Sequence, residues 1–254
     1  MRIWVYEKGE LTTMPGYFGE FFGTTVMIIL GNGCVANVIL RRTKAEGGGW
    51  MVITAGWAFA VTIGIFCANA AGSSQPDLNP ALTLAKLLIG IYQPTQAIYI
   101  MFCQVAGAFA GACLLWLHFW PHWAETEDSG LILAVFSTGP AIRHNAANLL
   151  SEVMGTVMLI VPVFAIFSSG VGSIPPGMRA YLVGILIWSI GLSLGGTTGY
   201  AINPARDLGP RLAHAILPIP GKGNSDWNYA WIPVVGPFIG AIIAYVIAQA
   251  VGII

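Results

Sequence analysis

Long apolar stretches separated by short polar breaks dominate the pattern of hydrophobic and polar positions along the chain. A helix that crosses a bilayer needs about 20 mostly apolar residues. Six stretches meet this requirement: 17–40, 50–71, 94–118, 147–169, 180–198 and 230–252. The breaks are polar or rich in glycine and proline, as in RRTKAEGGG and in the segment from Trp120 to Asn145. The pattern predicts one all-α transmembrane domain over residues 1–254, with six membrane-spanning helices.

Two further apolar segments, at 79–90 and 203–217, are too short to span a bilayer. At about 1.5 Å per residue, each helix would reach about halfway through the hydrocarbon core. Each begins with Asn-Pro-Ala, and asparagine is a strong N-cap while proline is favoured at the first helical position. A single such motif indicates only a helix start, whereas two copies in matching settings predict a pair of half-helices. The motif residues are Asn79, Pro80 and Ala81, and Asn203, Pro204 and Ala205.

The chain repeats its landmarks in one order. Glu20 in GEFFGT corresponds to Glu152 in SEVMGT, and QVAGAFAGA (104–112) corresponds to PVVGPFIGA (233–241). The glutamates are 132 residues apart, the motif asparagines 124 and the Gly-x-x-x-Gly pairs 129. Each predicted repeat, 16–119 and 147–254, holds three spans. Because three is odd, we expect the halves to be inserted in opposite senses, as an inverted repeat around a central pore.

Opposite insertion would bring the starts of the two half-helices together near the middle of the bilayer. Each helix start carries about half a positive charge. The asparagine side chains can cap their own helices through oxygen and leave their NH₂ groups to donate to a passing solute. Non-helical backbone upstream, at 71–78 and 195–202, must line a wet cavity because lipid cannot satisfy its carbonyls. These features favour neutral hydroxylic solutes and oppose cations and protons.

Several charged residues lie within apolar sequence. Arg206 is expected to face the pore, since an arginine in lipid costs at least about 2.5 kcal/mol; the alternative is a side chain that snorkels to the surface. Glu20 and Glu152 are expected to accept hydrogen bonds from non-helical backbone, with direct solute contact as the alternative. Asp207 is expected to pair with a base or join the helix cap, ahead of a role in solute contact.

Composition narrows the class of protein further. Hydrophobic residues make up 56% of the chain and charged residues only 9%, which indicates lipid as the partner. Eleven basic and eleven acidic residues balance, so no field attracts nucleic acid. The cysteines and histidines are dispersed without metal-ligand spacing, and no phosphate loop or nucleophile–base arrangement occurs. We therefore expect no cofactor, no metal and no enzymatic activity.

The combination of motifs closely resembles the major intrinsic protein family, the aquaporins and glycerol facilitators. The resemblance covers nearly the whole chain and is carried by GEFFGT, DLNPALTLA, CQVAGAFAGA, SEVMGT, TTGYAINPARDLGPR and VVGPFIGA. It implies a single channel domain of six tilted helices and two half-helices, with one pore per subunit of a homotetramer. It also implies that both termini are cytoplasmic; the compact chain suggests a prokaryotic inner membrane. The basic loop RRTK opposes this orientation, because it would lie outside.

By the same resemblance, the residues that match the outer constriction are Trp57, Gly191, Tyr200 and Arg206. Water-selective members usually carry a histidine twelve residues before the second motif asparagine, where this chain has Gly191. A glycine there implies a wider opening, and Asp207 after the arginine is typical of the glycerol-conducting branch. Two aromatic rings opposite an arginine would hold the carbon backbone of a polyol while its hydroxyls meet Arg206.

Three features depart from the family pattern. Asp77 stands two residues before Asn79, where glycerol facilitators usually carry histidine, and the loop SSQPDL is longer than usual. Tyr200 adds a hydroxyl where many glycerol facilitators have phenylalanine, which could favour a more polar solute than glycerol.

The function predicted is a passive channel for glycerol and similar small uncharged solutes, with some water conduction. Alternatives are the same fold tuned to protonated lactic acid, dihydroxyacetone, urea, hydrogen peroxide or water. An ion-coupled secondary transporter and a closed structural membrane protein are less favoured. A transporter usually needs ion-binding carboxylates, and Glu20 and Glu152 fit scaffolding better.

Overall fold

The computed structural model describes residues 14–175 and 177–254, and every regular element within these ranges is helical. Residues 1–13 and Pro176, which the predicted domain includes, lie outside the described part. The α-helices are α1 (Met14–Ile39), α2 (Trp50–Ala70), α3 (Pro80–Leu88), α4 (Pro94–His118), α5 (Trp120–Glu125), α6 (Ser129–Phe136), α7 (Asn145–Phe167), α8 (Met178–Leu194), α9 (Pro204–Ile216), α10 (Trp227–Ala230) and α11 (Ile232–Ala250). A 3₁₀ turn, Ser169–Val171, follows α7.

Six of these helices coincide with the predicted spans to within a few residues. Five segments are long and apolar enough to cross a membrane: Gly16–Ile39, α2, α4, α7 and Trp227–Ala250. The sixth, α8, has 17 residues and ends at Leu194, four residues before the predicted end. Gly195 and Gly196 follow, and glycine is a poor helix former because its backbone loses the most freedom.

The two half-helices begin where the Asn-Pro-Ala motifs predict. Asn79 and Asn203 are the N-caps of α3 and α9, each with extended backbone and with proline at the first helical position. The first half-helix is shorter than predicted, with 9 residues, because the chain turns at Gly90 in a left-handed conformation (φ 80°). Glycine adopts this conformation without steric penalty, which makes it a common helix terminator.

The helices of each half pack in the same order, and the halves interlock. Helix α1 packs against α2 and α4, and α7 packs against α8 and α11; α4 then contacts α9, and α11 contacts α3. Small residues permit the close contacts. A Cβ added at Gly107 would lie 2.2 Å from the Phe21 carbonyl oxygen, and one at Gly240 would lie 2.7 Å from the Val153 carbonyl oxygen. Any larger side chain would force these helices apart.

The connection between α4 and α7 contains two helices that the sequence analysis treated as a break. In α6, Ile132, Val135 and Phe136 are fully buried. Asp128 caps the helix by accepting hydrogen bonds from the Gly130 and Leu131 amides, at 2.7 and 3.3 Å. An eight-residue apolar helix cannot span a bilayer, so packing against α1 and α9 buries it instead.

Apolar side chains cover the outside of the bundle and polar side chains lie within it. Phe102 and Ile98 on α4 are 70% and 65% exposed. Glu20, Glu152 and Asp207 are almost completely buried. This arrangement is the reverse of a soluble protein and suits a hydrocarbon solvent.

Candidate pore and its constriction

A cavity of about 400 Å³ lies between the two halves of the molecule. Five of the predicted site residues lie on its wall, namely Trp57, Asn79, Tyr200, Asn203 and Arg206. The other predicted residues do not line it: Glu20, Glu152, Asp207 and Gly191 stand behind the wall, and the motif residues Pro80, Ala81, Pro204 and Ala205 are buried in the half-helix starts.

The two motif asparagines join the halves at the centre of the cavity. The Asn79 side-chain oxygen accepts from the Ala81 amide at 2.9 Å, while its Nδ2 donates to the Ile202 carbonyl at 2.8 Å. Asn203 accepts from the Ala205 amide at 3.0 Å and donates to the Leu78 carbonyl at 2.7 Å. Each NH₂ group therefore donates one hydrogen to a carbonyl of the opposite half. Both NH₂ groups were expected to be free to donate to a solute, whereas in the structure one hydrogen of each group is available for this.

The residues that receive these bonds have an unusual backbone conformation. Leu78 has φ 53° and Ile202 has φ 42°. The left-handed region is unfavourable for side chains with a Cβ, and each such residue costs about 1–3 kcal/mol. The conformation points the carbonyl of each residue to the asparagine of the other half and its N–H to a buried glutamate.

Glu20 is the acceptor behind the first half-helix. Its Oε1 accepts from the Ser73 hydroxyl at 3.0 Å and the Asp77 amide at 2.9 Å. Its Oε2 accepts from the Leu78 amide at 3.0 Å and from Gln104 Nε2 at 2.8 Å. Both carboxylate oxygens are thus saturated, and the non-helical segment before Asn79 is tied to α1.

Glu152 has the matching environment behind the second half-helix. Its Oε1 accepts from the Thr198 hydroxyl at 2.7 Å and the Ala201 amide at 3.0 Å, and its Oε2 accepts from the Ile202 amide at 2.8 Å. It is fully buried and off the cavity wall. The geometry therefore favours a supporting role over solute contact for this carboxylate.

At one end of the cavity, an arginine is stacked on an indole ring. The guanidinium carbon of Arg206 lies 4.3 Å from the centroid of the Trp57 ring, within the range of a cation–π interaction. The indole itself lies against α1, where a Cβ at Gly31 would come within 2.5 Å of it. Among the residues that the structure describes, Arg206 Nη1 is buried and has no hydrogen-bond partner.

Tyr200 occupies the space that Gly191 leaves. A Cβ at Gly191 would lie 2.8 Å from both Cζ and Oη of Tyr200. The Gly191 carbonyl accepts from Trp50 Nε1 at 3.0 Å, which holds this part of α8 against α2. Gly191 lies off the cavity wall, behind the tyrosine ring, so the wider opening that the resemblance implies would come from the room that this glycine leaves for Tyr200. The Tyr200 hydroxyl is buried against α8 and has no partner within the described ranges.

Asp207 is part of a buried ion pair. Its Oδ1 lies 2.8 Å from Arg211 Nε, and its Oδ2 accepts from the amide and the hydroxyl of Thr138, both at 2.8 Å. Both side chains of the pair are fully buried. Of the two roles expected for Asp207, the geometry shows pairing with a base. The sequence offered no local sign of Thr138, which lies 69 residues away in the chain.

At the other end of the cavity, a second buried ion pair joins Lys86 of α3 to Asp77. The Thr83 hydroxyl donates to Asp77 Oδ2 at 2.8 Å, and Lys86 Nζ donates to the Gln75 carbonyl at 3.2 Å. The pair closes the segment 75–77 onto the end of α3. Lys86 was not among the predicted site residues. Its position in the last turn of α3, where a cation is favourable, was the available signal.

A mostly apolar cavity with a few polar groups, such as Asn79, Asn203 and Arg206, lies between two half-helices inside a bundle with an apolar exterior. This arrangement defines a multi-pass transmembrane pore protein. The chain belongs to the major intrinsic protein family, whose model matches residues 9–248. Members of this family are passive channels and not enzymes.

Named relatives and a solved structure agree with this assignment. The chain is 50% identical over 230 residues to a probable glycerol uptake facilitator protein from Thermotoga maritima, covering 91% of this chain and 96% of the relative. It is 51% identical over 234 residues to a glycerol uptake facilitator protein from Streptococcus pneumoniae, covering 92% and 98%. The X-ray structure of the aquaglyceroporin from Plasmodium falciparum superimposes with a TM-score of 0.82 and 26% identity, covering 93% and 96% of the two chains. The all-α fold is therefore that of a known channel.

Proposed function

We propose that the protein is a passive channel for glycerol and similar small uncharged solutes, and that it also conducts some water. The observation that carries the proposal is the continuous wall on which Asn79 and Asn203 lie together with Trp57 and Arg206. Free amide hydrogens at the centre and an arginine over an indole at one end suit a solute with oxygens on one side and carbons on the other. The names of the relatives supply the solute class.

Exclusion of ions and protons is part of the proposal. Two helix starts and Arg206 place positive charge along the cavity. Glu20 and Glu152 lie off the cavity wall, and both oxygens of each carboxylate accept hydrogen bonds from backbone amides there, so neither presents an oxygen to a cation in the cavity. We assign the pore junction to the two Asn-Pro-Ala motifs, the constriction to Trp57, Tyr200 and Arg206 with Gly191 behind the tyrosine, and scaffolding to Glu20, Glu152 and Asp207.

The inverted repeat and the assembly also belong to the proposal. The exchange of contacts, α4 with α9 and α11 with α3, supports two halves related by opposite insertion. Exposed apolar residues such as Phe102 and Ile98 must meet lipid or another subunit, and we propose a homotetramer in a bacterial cell membrane. Both termini are proposed to be cytoplasmic. A reporter fused to the C-terminus and cross-linking in native membranes test these two points.

Swelling of proteoliposomes in a glycerol gradient tests the function. Wild-type vesicles should swell faster than empty vesicles of the same lipid. A matched control is Ile187→Trp, which places an indole on the cavity wall and should return swelling to the empty-vesicle rate. A wild-type rate equal to that of empty vesicles would refute the proposal. Dihydroxyacetone, urea, hydrogen peroxide and protonated lactic acid in the same assay rank the solutes.

A further inference from the structure

Helix α9 carries two buried arginines and one carboxylate within six residues, from Arg206 to Arg211. A buried cation without a paired counter-charge is costly, and the geometry of this carboxylate gives it an ion pair with one of the two arginines. The choice of partner matters for the cavity, because Arg206 lies on its wall and Arg211 does not.

The Asp207 carboxylate forms its ion pair with Arg211. Asp207 Oδ1 accepts from Arg211 Nε at 2.8 Å, and Oδ2 accepts from Arg211 Nη2 at 3.1 Å. The amide and hydroxyl of Thr138 complete Oδ2, both at 2.8 Å. Neither oxygen of Asp207 is left for Arg206, the residue next to it in the chain.

Arg211 in turn has no donor to spare for a solute. Its Nη1 donates to the carbonyls of Ser225 and Asp226 at 2.8 and 3.3 Å, and its Nη2 donates to the Thr138 carbonyl at 3.0 Å. The three nitrogens of the guanidinium group are all engaged, and the side chain is fully buried. Arg211 is therefore a fixed counter-ion in the wall behind the cavity.

Arg206 has the opposite situation. The positions one turn further along its helix face are Gly209 and Pro210, which carry no charge. Its guanidinium group lies over Trp57, and its Nη1 has no hydrogen-bond partner in the described part of the chain. Among the described residues Arg206 thus has no ion-pair partner, whereas Arg211 is paired with Asp207.

We propose that Arg211 is a specificity-determining positioning residue, which offsets the charge of Asp207 and thereby preserves the positive charge of Arg206 that excludes ions. The inference rests on the proposed channel function. If Arg211 loses its charge, Asp207 becomes a buried carboxylate without a paired base, and its field then offsets the charge of Arg206, the next residue in the chain. The effect of Arg211 on ion exclusion passes entirely through Asp207.

The test compares ion leak with glycerol swelling in proteoliposomes, using Arg211→Gln, Asp207→Asn/Arg211→Gln and Arg211→Lys. Arg211→Gln should raise the K⁺ or proton leak by about tenfold or more, because the unpaired charge of Asp207 then offsets that of Arg206 at the constriction. The double variant should return the leak to the wild-type level, since no carboxylate of α9 remains to offset Arg206. Arg211→Lys, which keeps the charge, should stay near wild type. Arg206→Val serves as the reference for a lost charge at the constriction.

Two outcomes overturn the inference: Arg211→Gln that excludes ions as wild type does, or a double variant that leaks as much as the single one. The second outcome would indicate general damage to the wall. If Arg211→Gln does not fold, Asp207→Asn alone decides: Arg206 stays unpaired, so ion exclusion must persist, and a leak contradicts the inference. Wild-type vesicles without glycerol flux would instead refute the channel function itself, which separates the two failures.

Discussion

Gly191 and Tyr200 are fitted to each other: a Cβ at position 191 would lie 2.8 Å from the Cζ and Oη atoms of the tyrosine. Contacts this short do not occur between a Cβ and a ring, so one of the two groups must move when position 191 gains a side chain. Trp50 packs edge-to-face on the same ring with a centroid distance of 6.0 Å, and its Nε1 donates to the Gly191 carbonyl. Tyr200 lies on the cavity wall, so a ring displaced from α8 moves toward the cavity.

Replacement of Gly191 by alanine should narrow the constriction. We expect glycerol swelling to fall about tenfold, equivalent to about 1.4 kcal/mol in the barrier, with a smaller loss for water, which is the smaller solute. The matched control is Gly196→Ala, because a Cβ there has no neighbour within 4 Å. Equal swelling rates for the two alanine variants would show that the contact between Gly191 and Tyr200 does not set the opening.

Exchange of Glu20 or Glu152 for glutamine should destabilise the protein. In both carboxylates each oxygen accepts from a backbone amide: the Asp77 and Leu78 amides in one case, the Ala201 and Ile202 amides in the other. Either orientation of a glutamine would set its NH₂ group against a backbone N–H. We expect a loss of about 1–3 kcal/mol per site, measured as a lower Tm in detergent.

The control for these variants is Glu125→Gln, whose side chain is 45% exposed in a surface ion pair. This change should leave the Tm where it is. A Tm for Glu152→Gln equal to that of Glu125→Gln would contradict the scaffold role of the buried carboxylate.

The elements with local signals were predictable from sequence, and so was their approximate place. The half-helices begin at Asn79 and Asn203 because an N-cap asparagine followed by proline favours a helix start through local contacts alone. The short length of each apolar segment excluded a span by simple arithmetic. The prediction that Trp57, Tyr200 and Arg206 share one constriction came from the resemblance to a family, because their spacing in the sequence does not indicate it. All three lie on the cavity wall.

What sequence reasoning missed depends on contacts between distant segments. Arg211 donates to the Thr138 carbonyl, 73 residues away in the chain, and Asn32 donates to the Phe136 carbonyl, 104 residues away. No hydrophobic periodicity in the sequence predicts either hydrogen bond. Gly191 was expected to widen the opening, but the sequence could not show that the ring of Tyr200 fills the space next to this glycine. Helix α6 was missed because an eight-residue apolar run carries no helical period that distinguishes it from a loop.

The stacking of Arg206 on Trp57 predicts a separate effect on selectivity. Trp57→Leu removes the ring that lies 4.3 Å from the guanidinium carbon, so the arginine loses its fixed orientation and about 1–2 kcal/mol of interaction. We expect the ratio of glycerol to water permeability to fall about 5–10-fold, since water needs no apolar wall. Trp120→Leu is the matched control, because Trp120 is 57% exposed on the outside of the bundle. An unchanged ratio in Trp57→Leu would remove this ring from the constriction.

The ion pair of Asp77 and Lys86 predicts strong coupling at the other end of the cavity. Their side chains are 0% and 10% exposed, so loss of one partner leaves the other charge buried and unpaired. Lys86→Met or Asp77→Asn alone should lower the stability of the protein more than the double variant does, with a coupling free energy of about 1–3 kcal/mol. Thermal unfolding of wild type, the two single variants and the double variant measures this coupling free energy. Glycerol swelling should follow the same order because both residues line the cavity.

The control is a double-mutant cycle on the exposed ion pair of Arg42 and Glu125, in which the effects of the two changes on stability should simply add. Additive effects at Asp77 and Lys86 as well would mean that this ion pair does not stabilise the segment before Asn79.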